Sequence, residues 1–412
     1  MNPLVRYVGG ATCVLAVFSV MASEWPQWRG PERDGQFRGT PWPSSVGAEH
    51  LEQVWRVELE PSYSGPIVTA DRVFTTETRD KKREVVTALD RVSGKVLWET
   101  GWDGAMSVPF FARSNGSWIR STPAWDGEHL YVAGMRDVLV CLNGATGEVV
   151  WQKDFVKELD APEPDFGFVC SPLVDGEDLY VQAGASFLKL DKRTGEIQWR
   201  ALQDKGGMWG SVFSSPVMVE LAGLRQLLVQ TRNTLAGVDP VDGTVLWQQE
   251  VKAFRGMNIL TPLVHGDVVF TSTYGGKTIG YRVERADGGF RVEEAWSYKA
   301  QGYMSTPVVV EGVAYEHLRS QRVVAIDLKS GTERWTSDES FGKYWSLVAQ
   351  GDRILALDER GELILMRANP EQMEILDRRK IAEQDTWAHL AVVEDGLYVR
   401  ELNALAAYRW RR

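Results

Sequence analysis

Thr87-Ala-Leu-Asp90-Arg-Val-Ser-Gly94-Lys-Val-Leu-Trp98 is the stretch that decides the fold. Its Asp-x3-Gly-x3-Trp core returns in one register: Asn143, Gly147 and Trp151; Asp191, Gly195 and Trp199; Asp239, Gly243 and Trp247; Asp327, Gly331 and Trp335. Tryptophan is 17 of 412 residues, so five copies in one register exceed chance. From Trp98 to Trp247 the tryptophans stand 53, 48 and 48 residues apart. A degenerate copy ending at Trp296 fills the longer gap before Trp335. A period of roughly 40–50 residues with β character signals a propeller or a similar array.

The residue types suit a hairpin followed by a packing strand. Asp or Asn ends one strand, and its short side chain bonds to the backbone of the following turn. Gly supplies the positive φ of that turn. Two-residue alternation predicts that Val96 and Trp98, Val149 and Trp151, Ile197 and Trp199, and Val245 and Trp247 each share one face. An indole fills the wedge between twisted sheets and donates through its N–H. Trp98, Trp151, Trp199, Trp247 and Trp335 are therefore expected to dock neighbouring units structurally, because periodic residues serve the fold.

Each unit also opens alike. Ser64-Gly-Pro66, Ser121-Thr-Pro123, Cys170-Ser-Pro172, Ser214-Ser-Pro216, Leu260-Thr-Pro262 and Ser305-Thr-Pro307 each precede a short apolar strand. Gly turns and second strands such as Leu130-Tyr-Val-Ala follow. The pattern predicts four-stranded antiparallel blades at about 61–101, 118–155, 167–203, 211–253, 258–299, 303–338 and 343–381. The fifth turns irregularly at Asp287-Gly288-Gly289, and the seventh replaces the motif with Asn369-Pro370. Residues Trp387 to Trp410 supply three further strands, and Leu51–Val57 is expected to add the fourth, which removes open sheet edges. The expected fold is all-β, an eight-bladed propeller, with seven blades as the alternative count.

Residues 1–22 read as a secretory signal: Arg6, then the apolar Val14–Val20, then Val20-Met-Ala22 as a cleavage site. The segment is short for a membrane span, and no other long apolar run exists in the sequence. The expected organisation is signal peptide 1–22, N-terminal cap 23–50 and propeller 51–412. Cys141 and Cys170 either pair or remain two buried thiols; neither has CxxC spacing. The 46 basic and 56 acidic residues give a formal net charge of −10, lowered by one when Arg6 leaves with the signal. With no basic run, this balance argues against nucleic-acid partners.

These residues resemble the pyrroloquinoline-quinone-type propeller repeat, whose tryptophan docking motif they carry over about residues 51–410. The opening Trp25-Pro-Gln-Trp28-Arg-Gly-Pro-Glu-Arg-Asp34-Gly35 resembles the N-terminal motif of a bacterial subgroup of exported proteins with this repeat. The resemblance implies one of two activities. One branch comprises quinoprotein dehydrogenases, which oxidise alcohols or sugars with the quinone and Ca²⁺. The other is the propeller subunit of the outer-membrane barrel-assembly machine, which has no cofactor and binds protein partners. The soluble alcohol-oxidising members use an adjacent Cys–Cys disulfide, and this chain has only Cys13, Cys141 and Cys170.

The loops entering the first strands are expected to meet around one mouth of the central channel. Aligned on the Ser-x-Pro element, they present Tyr63, Arg120, Phe168, Phe213, Asn258, Tyr303, Tyr344 with Trp345, and Trp387. Convergent aromatics with a few polar groups suit a small ligand, a glycan or a peptide. A second series, Arg136, Arg232 with Asn233, Lys277, Arg319 and Arg360, follows the second strands and would form an anion site if it faced the channel. Salt bridges to the many acidic residues are the commoner use of such side chains. The 102–118 insertion carries Phe110 and Phe111, which are expected either to offer a partner contact or to fold over the ring.

No HExxH, zinc-site histidine spacing, G-x-S-x-G elbow or phosphate loop appears. The sequence therefore reads as an exported, non-catalytic binding or assembly scaffold of the bacterial envelope, with no cofactor and with envelope proteins or a small ligand as partners. A quinone-dependent dehydrogenase using pyrroloquinoline quinone with Ca²⁺, or a quinone-binding sensor, is the alternative.

Overall fold

A computed structural model describes residues 24–206 and 212–411. The proposed signal segment lies outside the described residues. The described chain forms eight four-stranded antiparallel sheets arranged as propeller blades. Seven are built from consecutive strands, such as Ile67–Val68, Arg72–Arg79, Arg83–Asp90 and Val96–Asp103 in blade 1. Blade 8 combines Ala391–Val393, Gly396–Glu401 and Ala404–Trp410 with the N-terminal strand Leu51–Glu58. That strand pairs from Leu51 with Trp410 to Glu58 with Ala404, which closes the ring.

Apolar side chains from adjacent blades interlock. Ile67, Phe74 and Val86 of blade 1 meet Leu130, Val132 and Val140 of blade 2, all fully buried. The repeat motif works at the outer edge of each such seam. Asp90 Oδ1 accepts from Ser93 N at 2.7 Å, and the same turn recurs at Asn143, Asp191 and Asp327. Gly94, Gly147, Gly195, Gly243 and Gly331 all have φ between 70° and 79°.

The tryptophans dock forward onto the next blade's motif. Trp98 Nε1 donates to Gly144 O (3.1 Å), Trp151 to Lys192 O (3.0 Å), Trp199 to Pro240 O (3.4 Å) and Trp335 to Asn369 O (2.9 Å). The degenerate copy also docks, with Trp296 donating to Leu328 O at 2.8 Å. Trp247 departs from the series. Its Nε1 turns inward to Gln226 Oε1 of its own blade at 2.6 Å, because blade 5 lacks the Asp-x3-Gly turn that would receive it.

Strict alternation fails before each tryptophan. Val96 pairs with Leu89 and Trp98 with Ala88, so a bulge at Leu97 puts Val96 and Trp98 on opposite faces. The same shift occurs before Trp151, Trp199 and Trp247. Val96 is 52% exposed as a result, contrary to the shared face expected from alternation.

Candidate functional site

The Ser-x-Pro elements face the channel and form a belt. Gly65 N donates to Thr122 Oγ1, Thr122 N to Ser171 Oγ, Ser171 N to Ser215 Oγ, and Thr261 N to Thr306 Oγ1, each at 2.9–3.1 Å. Each hydroxyl thus satisfies a backbone N–H of the preceding blade where no ladder partner is available.

The N-terminal segment crosses this channel. Trp25 exchanges backbone bonds with Val68 of blade 1, and Phe37 N donates to Ala349 O of blade 7. Between them, Arg29 donates to Thr306 O (2.8 Å) and Pro307 O (2.7 Å) of blade 6. Arg33 donates to Pro172 O (2.6 Å) and Ser171 O (3.0 Å) of blade 3. Both guanidiniums are buried, and desolvation pulls Arg29 down to about 10 and Arg33 to about 9. They tie opposite parts of the belt through carbonyls rather than carboxylates. The segment crosses the ring along this belt and borders a funnel-shaped cavity at Trp28. Trp28 lines the funnel, its Nε1 donating to Thr261 Oγ1 at 3.2 Å and its ring lying edge-on to His389.

Above Trp28 the funnel encloses about 1030 Å³, including its open mouth. Tyr63, Arg120, Phe213, Tyr303, Tyr344 and Trp387 line it. Tyr63 stacks on Trp387 at 5.2 Å between centroids, and Tyr344 on the same indole at 6.4 Å. The other three residues of the expected mouth sit elsewhere. Phe168 is buried between blades 2 and 3, and Trp345 beside blade 6 with its Nε1 donating to Asp358. Asn258 is buried and donates to the carbonyls of Thr231, Arg232 and Val251. Their neighbours Val169, Met257, Ile259 and Tyr344 face the cavity instead. In an irregular loop, facing is set by local φ/ψ, so a shift of one residue is enough. Sequence reasoning also missed Phe166, Met304 and the hydroxyls of Ser171, Ser215, Thr261 and Thr306 on the wall and floor. The middle position of the Ser-x-Pro element was the signal for those hydroxyls.

The insertion contributes directly. Val108, Ala112, Asn115 and Gly116 form part of the wall. Phe110 is 79% exposed and Phe111 46%, and Phe111 packs edge-on against Phe166 of the blade 2–3 connection. Arg255, from the blade 4–5 connection, lies 5.5 Å over Phe111 and 4.9 Å over Phe254.

The expected anion series does not converge on the funnel, and none of its members lines the cavity. Arg136 pairs with Glu163, Arg232 with Asp204, Lys277 with Glu294 and Arg360 with Asp358. Arg319 lies 4.8 Å over the Tyr274 ring, and Asn233 is exposed beside Thr231. Acidic residues absorb most of these charges, the commoner use that the composition suggests. Cys141 and Cys170 are free thiols in one apolar cluster, each pushed up to about 12 by burial.

A quinone with three carboxylates and Ca²⁺ requires several cations and a set of hard oxygen ligands. Among the described residues, the cavity wall carries one charged side chain, Arg120, and no carboxylate. Among the described residues no cluster of three His, Cys, Asp or Glu side chains has metal-binding geometry. These residues do not fit that group. Nor does any described lining residue offer a carboxylate or imidazole base to the cavity hydroxyls.

Eight blades, docked tryptophans and a closing N-terminal strand define a β-propeller of the pyrroloquinoline-quinone-like repeat class. The family described as "Outer membrane protein assembly factor BamB" matches residues 45–114 and 81–337, and the chain belongs to it. Similar relatives include the outer membrane protein assembly factor BamB of Yersinia pestis, 23% identical over 90% of this chain and 83% of that protein. BamB of Moranella endobia is 23% identical over 77% of both chains. Among solved structures, BamB from Moraxella catarrhalis superposes with a TM-score of 0.63 at 15% identity, covering 88% of this chain and 98% of that one. The quinohemoprotein alcohol dehydrogenase ADHIIG from Pseudomonas putida HK5 also gives 0.63, at 14% identity over 97% of this chain and 82% of that one. Likeness at these identities concerns the fold and does not choose between assembly and oxidation.

Proposed function

We propose that this protein is a non-catalytic scaffold of the bacterial envelope that holds protein partners during assembly of outer membrane proteins. Family membership supports the class of activity. The observation that supports the non-catalytic reading is the funnel itself: its own N-terminal segment crosses beside it, and its described lining residues include one cation and no carboxylate. Among the described lining residues, neither quinone chemistry nor acid–base catalysis finds its usual side chains. The rim supports a protein partner, because Phe110, Phe111 and Phe254 stand exposed together around Arg255. Exposed aromatics beside an arginine are the composition of interface hot spots. No described helix is long and apolar enough to cross a membrane.

The test is genetic and enzymatic together. Removing the gene should lower the amount of folded β-barrel protein in the outer membrane, and the exported chain should restore it. The purified chain should not oxidise alcohols or sugars with added pyrroloquinoline quinone and Ca²⁺. Unchanged outer membrane proteins, or quinone-dependent turnover, would overturn the proposal.

A further inference from the structure

Two polar groups on the funnel wall lack matching partners. Arg120 is the only charged side chain among the described lining residues, and no described carboxylate forms an ion pair with it. Its Nε donates to Trp118 O at 3.1 Å and one Nη to Gly116 O at 3.0 Å. Those carbonyls hold the guanidinium in place but leave its positive charge unneutralised. The second group is Trp387 Nε1, a buried donor without an acceptor. Tyr63 belongs to the same wall: its ring stacks on Trp387, and it lines the cavity together with Arg120. A buried donor such as Trp387 Nε1 is costly unless something accepts from it.

We propose that the funnel binds a small apolar acid, with its ring system against Tyr63, Trp387, Phe213 and Tyr303 and its single anionic group at Arg120. Charge complementarity chooses the anion, since an unpaired guanidinium in an apolar cavity gains most from a carboxylate or sulfonate. The aromatic wall chooses a flat body, which stacks at little entropic cost. One cation without metal ligands selects a monoanion, which separates this ligand from a tricarboxylate quinone with Ca²⁺. The 104–118 segment completes the site, because Gly116 and Trp118 position Arg120 while Val108 and Ala112 cover the cavity. The site stands on its own geometry and does not depend on the assembly role.

Two dyes with the same aromatic body test it: 1-anilinonaphthalene-8-sulfonate and uncharged N-phenyl-1-naphthylamine. Each is titrated into the purified exported chain by fluorescence and calorimetry. Both should bind one to one, the sulfonate more tightly by about tenfold or more, the usual gain from hydrogen bonds to a charged group. Arg120→Met should erase that preference while the neutral dye still binds. Arg120→Gln serves if the methionine variant does not fold, as judged by its melting curve. Ile259→Trp, which fills the cavity, should weaken both dyes. The proposal is overturned if wild type binds neither dye, if the sulfonate preference survives loss of the charge, or if Ile259→Trp leaves both affinities unchanged.

Discussion

Trp55 lies flat against Gly94, 39 positions later in the chain and on the neighbouring blade. A Cβ added to Gly94 would stand 2.8 Å from the indole, and Trp55 Nε1 donates to Arg91 O at 3.0 Å. Gly94 belongs to the first Asp-x3-Gly-x3-Trp copy, so Trp55 is the docking tryptophan of blade 8, carried by the N-terminal strand rather than by the C-terminal end. Ring closure therefore uses the same lock as every regular seam. Trp55→Ala should cost about 3 kcal/mol, the range for deleting a buried aromatic. Urea denaturation followed by tryptophan fluorescence measures it, and a change below 1 kcal/mol would show that the closing strand's backbone pairing suffices.

The two buried arginines of the N-terminal segment make a sharper case. Arg33 donates to Ser171 O and Pro172 O from a site that is 1% exposed. Arg33→Ala should lose about 2–4 kcal/mol, since charged donors are removed and buried carbonyls are left unpaired. Arg33→Lys should recover little, because one ammonium cannot reproduce the planar fork. Thermal unfolding of both variants decides the matter, and full recovery by lysine would contradict the fork argument.

Stability should depend on pH through buried acids. Burial raises Glu84 and Asp137 to about 7 and Glu316 to about 8. For a group with a raised folded pKa, the stabilising contribution is full below its unfolded value and is lost as pH rises through the folded one. For Glu316 that window runs from 4.5 to about 8. Melting temperature should thus fall over this window, and Glu316→Gln, which stays neutral, should flatten the decline. A variant with an unchanged profile would remove Glu316 from the account. Buried His317 and His389, held down at about 4 and 3, act oppositely. Their contribution is present above the unfolded value of 6.5 and is lost as pH falls through those values.

Cys141 and Cys170 should resist thiol reagents in the folded chain, because burial both hides the sulfur and disfavours the thiolate. Reaction with a disulfide reagent should be negligible natively and should report two thiols per exported chain in denaturant. A disulfide detected after denaturation would contradict the free thiols.

Phe110→Ser with Phe111→Ser separates partner contact from folding. Phe110 is 79% exposed, so its loss should change stability by less than about 0.5 kcal/mol, the usual range for surface positions. If the rim holds a partner, the double variant should fail to restore outer membrane protein levels in the gene-deleted strain while accumulating normally. Full restoration would move the contact surface off the insertion.

Local chemistry made the architecture readable. An Asx turn, a glycine at positive φ and an indole four residues on are neighbours in the chain, so repetition alone announces the blade and its docking. Even the closing strand was legible, since three C-terminal strands leave an edge that Leu51–Val57 can cover. Facing in loops was not legible. Phe168 and Asn258 turn away from the funnel while Val169 and Ile259 turn toward it, and no period governs such segments. The bulge before each tryptophan broke a period that does hold elsewhere in the strands.

The sequence by itself determined an all-β ring of repeated units, read as eight with seven as the alternative count, together with its seams and its closure, because those depend on turn chemistry and strand pattern within about fifty residues. Tertiary structure alone decided which charges are neutralised and what fills the axis. Arg136, Lys277 and Arg360 meet acids within their own blades or connections, whereas Arg29 and Arg33 find carbonyls on blades 6 and 3, more than a hundred residues away. Arg120 finds no acid at all among the described residues. A charge in a sequence does not state its partner; only the folded ring sets the distances over which Coulomb forces act.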